Sequence, residues 1–241
     1  MSRTEWFTSW FNTSYYHILY KDRNDEDAQI FMKNITQFLK LPQETHILDL
    51  PCGKGRHSVY LNSLGYQVTG GDLSENSIGY AKQFENARLK FKVKDMRQAF
   101  KERYDAVFNL FTSFGYFEAD EEDVRVLQNI KNSFIDKGVL VLDFLNVEKV
   151  KQNIVKKETK SVEGIDFHIQ REIKDGFILK HISFNHHGKN HSYTEHVKYL
   201  DLKKFKEYFK CAGMSLENVF GDYKLSEFDP NTSDRLILVA K

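Results

Sequence analysis

Apolar positions along the chain fall into two patterns, repeats near 3.6 residues and short unbroken runs, and the two alternate. Ile30, Phe31, Ile35, Phe38 and Leu39 recur at helical spacing and predict an amphipathic helix over Asp25 to Leu39. His46 to Leu50 then has the length of a strand buried on both faces, and Pro51, which offers no N–H to a ladder, stops it. Val59, Tyr60, Leu61 and Leu64 place a helix over Arg56 to Leu64, with Gly65 as its C-cap, and Tyr66 to Thr69 begins a second strand that ends at Asp72. The rhythm continues with a helix over Asn76 to Phe84, strands over Leu89 to Val93 and Tyr104 to Leu110, a helix opened by Asp120 and Asp123, and a strand over Val139 to Phe144. Leu202 to Ala212 is amphipathic and capped by Gly213, and Leu216 to Phe220 and Leu236 to Ala240 read as a closing hairpin. These elements predict an α/β fold with a doubly wound, mostly parallel sheet of seven strands.

Between Val150 and Leu200 the alternation breaks. Gly164, Gly176 and Gly188 recur every 12 residues and separate strand-like segments over Ile165 to Ile173, Phe177 to Phe184 and Ser192 to Leu200, an antiparallel meander. The expected organisation is a core of residues 1–149 and 201–241, with residues 1–40 as a helical cover and residues 150–200 as an inserted antiparallel lid. Residues 1–23 are dense in aromatics; Trp6 with Trp10, Phe7 with Phe11 and Tyr16 with Tyr20 stand four apart, so a helix would put each pair on one face. On such a helix Arg23 would share the face of Tyr16 and Tyr20.

Composition narrows the partners. Of 241 residues, 35 are Lys or Arg and 34 are Asp or Glu, and the net charge of +1 offers no field to steer nucleic acid or an anionic membrane. A small-molecule partner is expected, with the chain a monomer or homodimer. Two cysteines, Cys52 and Cys211, make neither a disulfide framework nor a metal spacing, which suits a reducing cytoplasm. The sequence shows neither a leader pattern nor a run of about 18 apolar residues. Five histidines in the insertion, His181, His186, His187, His191 and His196, lack carboxylates or cysteines at ligand spacing, so no metal is expected, although His181 or His196 could face a substrate.

The candidate chemistry lies at the first crossover. Strand, glycine turn (Gly53, Gly55), helix and second strand form a βαβ unit that carries Asp49 before the turn and Asp72 at the second strand's tip. Glycines let backbone approach a ligand, the helix N-terminus presents unpaired N–H groups, and Asp72 can take both hydroxyls of a ribose, although an acid there also suits a plain solvated strand end. The dinucleotide fingerprint G-x-G-x-x-G is incomplete, because Ser58 stands at its third glycine. In open α/β sheets ligands bind beyond the carboxyl ends of strands, so Asn109 to Tyr116, including Phe111, should line the reaction centre.

An acid ahead of G-x-G and a second acid at the next strand's end resemble the motif of class I S-adenosylmethionine-dependent methyltransferases, most specifically over Ile47 to Asp72. Pro51 stands where that family usually has its first glycine, in a variant D-L-P-C-G-x-G-R-H-S that occurs within it. The resemblance implies the cofactor S-adenosylmethionine, with Asp49 near its amino end, Pro51, Gly53 and Gly55 beneath it, Asp72 and Leu73 at the ribose, and Asp95 and Met96 at the adenine. Asn109 and Phe111 complete the implied set, and Tyr20 and Arg23 of the N-terminal cover would approach the methionine end.

It also implies methyl transfer to an N or O nucleophile of a small molecule. Such transfer needs placement more than chemical catalysis, and Tyr16, Tyr20 and Tyr116 are the candidate catalytic groups, with a His or ordered water as other acceptors of a proton. Asn109-Leu110-Phe111-Thr112 is not the N-P-P-Y or D-P-P-Y found in methyltransferases of nucleic-acid adenine or protein glutamine. Two other functions fit the same βαβ unit: an NAD(P)-dependent reductase, for which a convincing Tyr-x-x-x-Lys pair is missing, and a non-catalytic module that only binds S-adenosylmethionine.

Overall fold

The computed structural model describes residues 5–21 and 25–241; Arg23 lies outside them. In chain order the elements are α1 (Trp6–Trp10), α2 (Ser14–Leu19), α3 (Asp25–Phe38), β1 (His46–Asp49), α4 (Arg56–Ser63), β2 (Gln67–Asp72), α5 (Glu75–Ala81) and β3 (Leu89–Val93). They continue with β4 (Tyr104–Asn109), α6 (Asp120–Asn132), β5 (Phe134–Leu145), α7 (Val147–Gln152), β6 (Lys157–Val162), β7 (Ile165–Lys174), β8 (Phe177–His186), β9 (Lys189–Lys198), α8 (Leu202–Ala212), β10 (Leu216–Phe220) and β11 (Arg235–Ala240). The chain divides into two compact units, residues 1–23 with 150–199, and residues 24–149 with 200–241.

The larger unit holds a seven-stranded sheet in the order β10-β11-β5-β4-β1-β2-β3. β1 to β5 pair in parallel, and β11 runs antiparallel to both β5 and β10. This is the expected doubly wound sheet, closed by a reversed hairpin. Its central strands have no water-facing side, which is why Ile47, Leu48, Val107, Phe108, Leu140 and Val141 are all buried. Helix α3 turns Ala28, Phe31, Met32 and Ile35 inward, positions three and four apart, while Ile30 and Phe38, expected on that face, are exposed.

The smaller unit is a four-stranded antiparallel meander, β6-β7-β8-β9. Its three turns each pair a left-handed residue with a left-handed glycine: Glu163-Gly164, Asp175-Gly176 and His187-Gly188. That succession matches the twist of antiparallel strands and explains the regular glycines. β6 is the strand that periodicity missed, because five of its six residues are polar or charged and only Val162 is buried. The expected N-terminal helix is two short ones. Thr13 accepts the N–H of Tyr16 and so caps α2, and Tyr20 ends that helix as its C-cap, its N–H still donating to the Tyr16 carbonyl at 3.2 Å. Trp10 and Leu19 from this segment join Val162, Ile165, Phe167, Ile169, Ile182 and Phe184 in a separate hydrophobic core, so residues 5–21 pack with the insertion. Among the described residues no helix is long and apolar enough to cross a membrane.

Two glycines of the larger unit make room for one ring. A Cβ on Gly55 would stand 2.6 Å from the Phe91 ring and 3.1 Å from the Ala81 Cβ, and one on Gly70 would stand 2.5 Å from that ring. Gly55 also has a φ of +84°. Replacing Gly55 by Ala should therefore cost about 2 kcal/mol or more, lowering the melting temperature by roughly 4–8 °C. Gly164→Ala, with φ +77° but nothing within 4 Å, should cost about 1 kcal/mol, and thermal unfolding of the two variants side by side checks the contrast.

Candidate active site

β4, β1 and β2 are neighbours in the sheet, and their carboxyl ends gather most of the candidate residues. The turn after β1 stays tied to the strands beside it: the Leu50 N–H donates to the Phe108 carbonyl at 2.9 Å and the Cys52 N–H to the Gly71 carbonyl at 2.9 Å. Gly53 then takes a φ of +54°, and a Cβ there would meet nothing within 4 Å among the described residues, so they leave this stretch of backbone a bare face. Pro51 and Leu73 flank it half-buried.

Asp72 is no plain solvated strand end. One carboxylate oxygen accepts the Gly53 N–H at 2.8 Å and the other accepts the Ser74 N–H at 2.8 Å. Burial pushes its pKa up, and these two N–H bonds work against that push. Each oxygen keeps a second lone pair for a further donor.

Asp49 is buried, with 1 % of its surface exposed, and accepts the Ser58 hydroxyl at 2.6 Å. Burial raises its pKa to about 7; the Ser58 bond opposes the rise and the charge of Asp72 adds to it. Burial and the same two acids push the Cys52 thiol up, so that cysteine is an inert wall.

Past β3, Asp95 is gripped by Arg97, whose Nε donates at 3.0 and 3.1 Å and whose terminal nitrogen donates at 2.7 Å; the Arg97 backbone N–H adds a bond at 2.9 Å. Burial works against this carboxylate, but Arg97 more than offsets it and holds its pKa below the usual range. Met96 is half-buried beside it, and its carbonyl accepts from Asn129 at 3.3 Å.

Past β4 the backbone turns through two consecutive non-glycine residues at positive φ, Phe111 (+59°) and Thr112 (+61°). Such conformations cost about 1–3 kcal/mol each and persist only where surroundings hold them. Buried Asp143 of β5 accepts the Phe111 N–H at 2.8 Å and the Arg235 Nε at 2.8 Å, and its own carbonyl accepts the Thr112 N–H at 2.9 Å. Arg235 reaches the Thr112 hydroxyl at 3.0 Å. The Phe111 ring stacks on His57 of α4 at 4.4 Å, and Tyr116 donates its hydroxyl to the Thr112 carbonyl. Asn109 is fully buried; its Nδ2 donates to the Ser113 carbonyl at 3.2 Å, while its Oδ1 has no hydrogen-bond partner among the described residues. A buried carbonyl oxygen left unpaired is costly and marks a place for an incoming donor.

Tyr16 and Tyr20 belong to the smaller unit. The Tyr20 hydroxyl donates to Glu195 at 2.7 and 2.9 Å and accepts from Lys180, and Trp10 Nε1 donates to Glu195 at 2.7 Å. The Tyr16 and Tyr20 rings lie 5.0 Å apart. His181 contacts Thr194 and Glu172, His196 stacks on Trp6, and His186 and His191 meet the Tyr15 hydroxyl. The core unit thus brings together Asp49, Gly53 and Asp72, and separately Asn109 and Phe111. Asp143, Arg235 and Arg97 carry no motif in the sequence, and Ser58 shows there only in place of a third glycine. The one signal available was a lone acid inside the apolar run Val139 to Phe144, at Asp143.

The match to a methyltransferase-domain family model runs over residues 41–209, through the insertion. The putative methyltransferase YqeM of Bacillus subtilis is 32% identical over 107 residues, 43% of this chain and 43% of that protein. The dTDP-3-amino-3,4,6-trideoxy-α-D-glucopyranose N,N-dimethyltransferase of Streptomyces venezuelae is 24% identical over 193 residues, 76% of this chain and 80% of that one. A solved S-adenosylmethionine-dependent methyltransferase from Clostridium acetobutylicum shares the fold with a TM-score of 0.79 at 16% identity, over 94% of this chain and 95% of that one. The matched segments span less than half the length of the first curated relatives. The chain belongs to the class I S-adenosylmethionine-dependent methyltransferases, and S-adenosylmethionine is its cofactor.

Proposed function

We propose that this chain transfers a methyl group from S-adenosylmethionine to an N or O nucleophile of a small molecule. The observation that carries the acceptor class is the reach of the likeness: the sugar-amine dimethyltransferase matches over 76% of this chain, not over the cofactor half alone. The near-zero net charge and the Asn109-Leu110-Phe111-Thr112 tip support the same reading against nucleic acid or protein acceptors. The free thiols Cys52 and Cys211 suit a cytoplasmic setting.

When bound, S-adenosylmethionine supplies a methyl carbon activated by its sulfonium. The bare face at Gly53 and the unpaired Asn109 oxygen fit such a ligand. Asp72 would accept ribose hydroxyls on its remaining lone pairs, and Asp49 and Asn109 would receive the ammonium end. Gly53, Gly55, Pro51 and Leu73 would form the floor, Asp95 and Met96 the adenine end, and Phe111 the wall beside the methyl group. We assign acceptor selection to the smaller unit, and Tyr16, Tyr20 and Tyr116 are the side chains we propose as able to take a departing proton. A screen of small amines, phenols and acids for release of S-adenosylhomocysteine tests the proposal: turnover is expected on an amine or hydroxyl compound, and turnover on protein or nucleic acid alone would overturn it.

Asp72→Ala should weaken S-adenosylmethionine binding at least tenfold in calorimetry, since hydrogen bonds to an ionised acceptor are worth about 1.5–3 kcal/mol each. Because Asp72 also ties Gly53 to Ser74, Asp72→Asn, which keeps an acceptor oxygen, should lose less; equal binding by all three proteins would refute the assignment.

Asp49 gives a pH dependence with a definite sign. Its folded-state pKa of about 7 lies above the unfolded value, so its contribution to stability is present at low pH and is lost as pH rises through about 7. An ammonium group binds the ionised form, so S-adenosylmethionine affinity should fall by up to about tenfold from pH 8 to pH 6. Asp49→Asn should bind more weakly but with a flat profile, and an unchanged slope in that variant would remove Asp49 from the ligand's amino end.

A further inference from the structure

The buried ion pair between Asp143 and Arg235 joins β5 to β11 and touches neither the glycine turn nor the βαβ unit, so the motif has no use for it. Apart from Tyr223, the groups it holds belong to one turn. Asp143 holds the Phe111 N–H through its carboxylate and the Thr112 N–H through its carbonyl, and Arg235 holds the Thr112 hydroxyl. Those are the two residues forced into left-handed backbone, and Thr112 is β-branched, the type that accepts such geometry least readily. The same turn fixes Asn109, whose Nδ2 bonds across it to Ser113, and aims the Phe111 ring at His57 and Tyr223. The Arg235 guanidinium also faces the Tyr223 ring at 5.8 Å, and the Tyr223 hydroxyl reaches Asp143 at 3.4 Å.

We propose that Asp143, Arg235 and the Thr112 hydroxyl form a positioning clamp for the methyl-donor site, holding the Phe111–Thr112 turn so that the Asn109 oxygen and the Phe111 ring meet the cofactor. The proposal rests on the reading of Asn109 and Phe111 as cofactor contacts given above. The three residues act through the turn and need not touch the ligand. Hydrogen bonds from two strands converge on backbone that would otherwise relax, and over-determination of that kind is what lets a strained conformation persist.

Thr112→Val tests it without breaking the ion pair, since valine keeps the shape and the β-branch and removes only the oxygen that Arg235 holds. S-adenosylmethionine binding by calorimetry should weaken about fivefold, the scale of one lost hydrogen bond, while Thr112→Ser stays within about twofold of wild type. Both should melt within a few degrees of wild type. Arg235→Met leaves Asp143 buried without its cation and is the less stable variant. In that background Thr112→Gly, which takes a φ near +60° freely, should recover part of the lost affinity. Thr112→Val binding as tightly as wild type overturns the clamp. Asp72→Ala as the reference separates the two claims: loss there with none in Thr112→Val sinks the clamp alone, and retention by both sinks the site as well.

Discussion

The site depends on one carboxylate used twice. Asp72 accepts the Gly53 N–H from the turn after β1 and the Ser74 N–H from the cap of α5, so two loops are fixed to the tip of a single strand. Leu50 and Cys52 pack beside the first turn, but Gly53 itself has no side chain to hold it, and Ser74 spends its hydroxyl on the N–H of Ser77. Hydrogen bonds to an ionised acceptor are about twice as strong as neutral ones, so Asp72 is suited to order backbone and still present lone pairs outward. Phe91 supports the arrangement from below, filling the space that Gly55 and Gly70 leave.

Around that carboxylate the protein keeps charge close and partly buried. Asp49 feels its charge, and burial raises the Asp49 pKa to about 7, a shift that a cationic ligand would oppose. Asp95 behaves oppositely, because Arg97 keeps it ionised. The two acids therefore differ in what they offer a ligand: one an adjustable charge, the other a fixed hydrogen-bond acceptor.

Much of the core was legible because its strands are buried on both faces and spell continuous apolar runs, and because the glycine turn is flanked by Asp49 and Asp72 in sequence. The meander announced itself through Gly164, Gly176 and Gly188, while β6 stayed hidden because a polar strand has no periodicity to read. The links that position the site were harder. Asp143 and Arg235 are 92 positions apart, and Trp10 and Glu195 are 185 apart, so only the folded sheet brings them together. Ser58 was visible merely as a failed third glycine, whereas its hydroxyl is the partner of Asp49. The N-terminal aromatics were legible as a cluster, but their partner was the insertion's own core.

The central claim is that the open backbone at Gly53, with Asp72 beside it, receives S-adenosylmethionine and not a dinucleotide. Calorimetric titration of the purified chain with S-adenosylmethionine and, separately, with NADH tests it most directly. Saturable one-site binding of S-adenosylmethionine with no heat from NADH is expected; saturable binding of NADH with none of S-adenosylmethionine would overturn it.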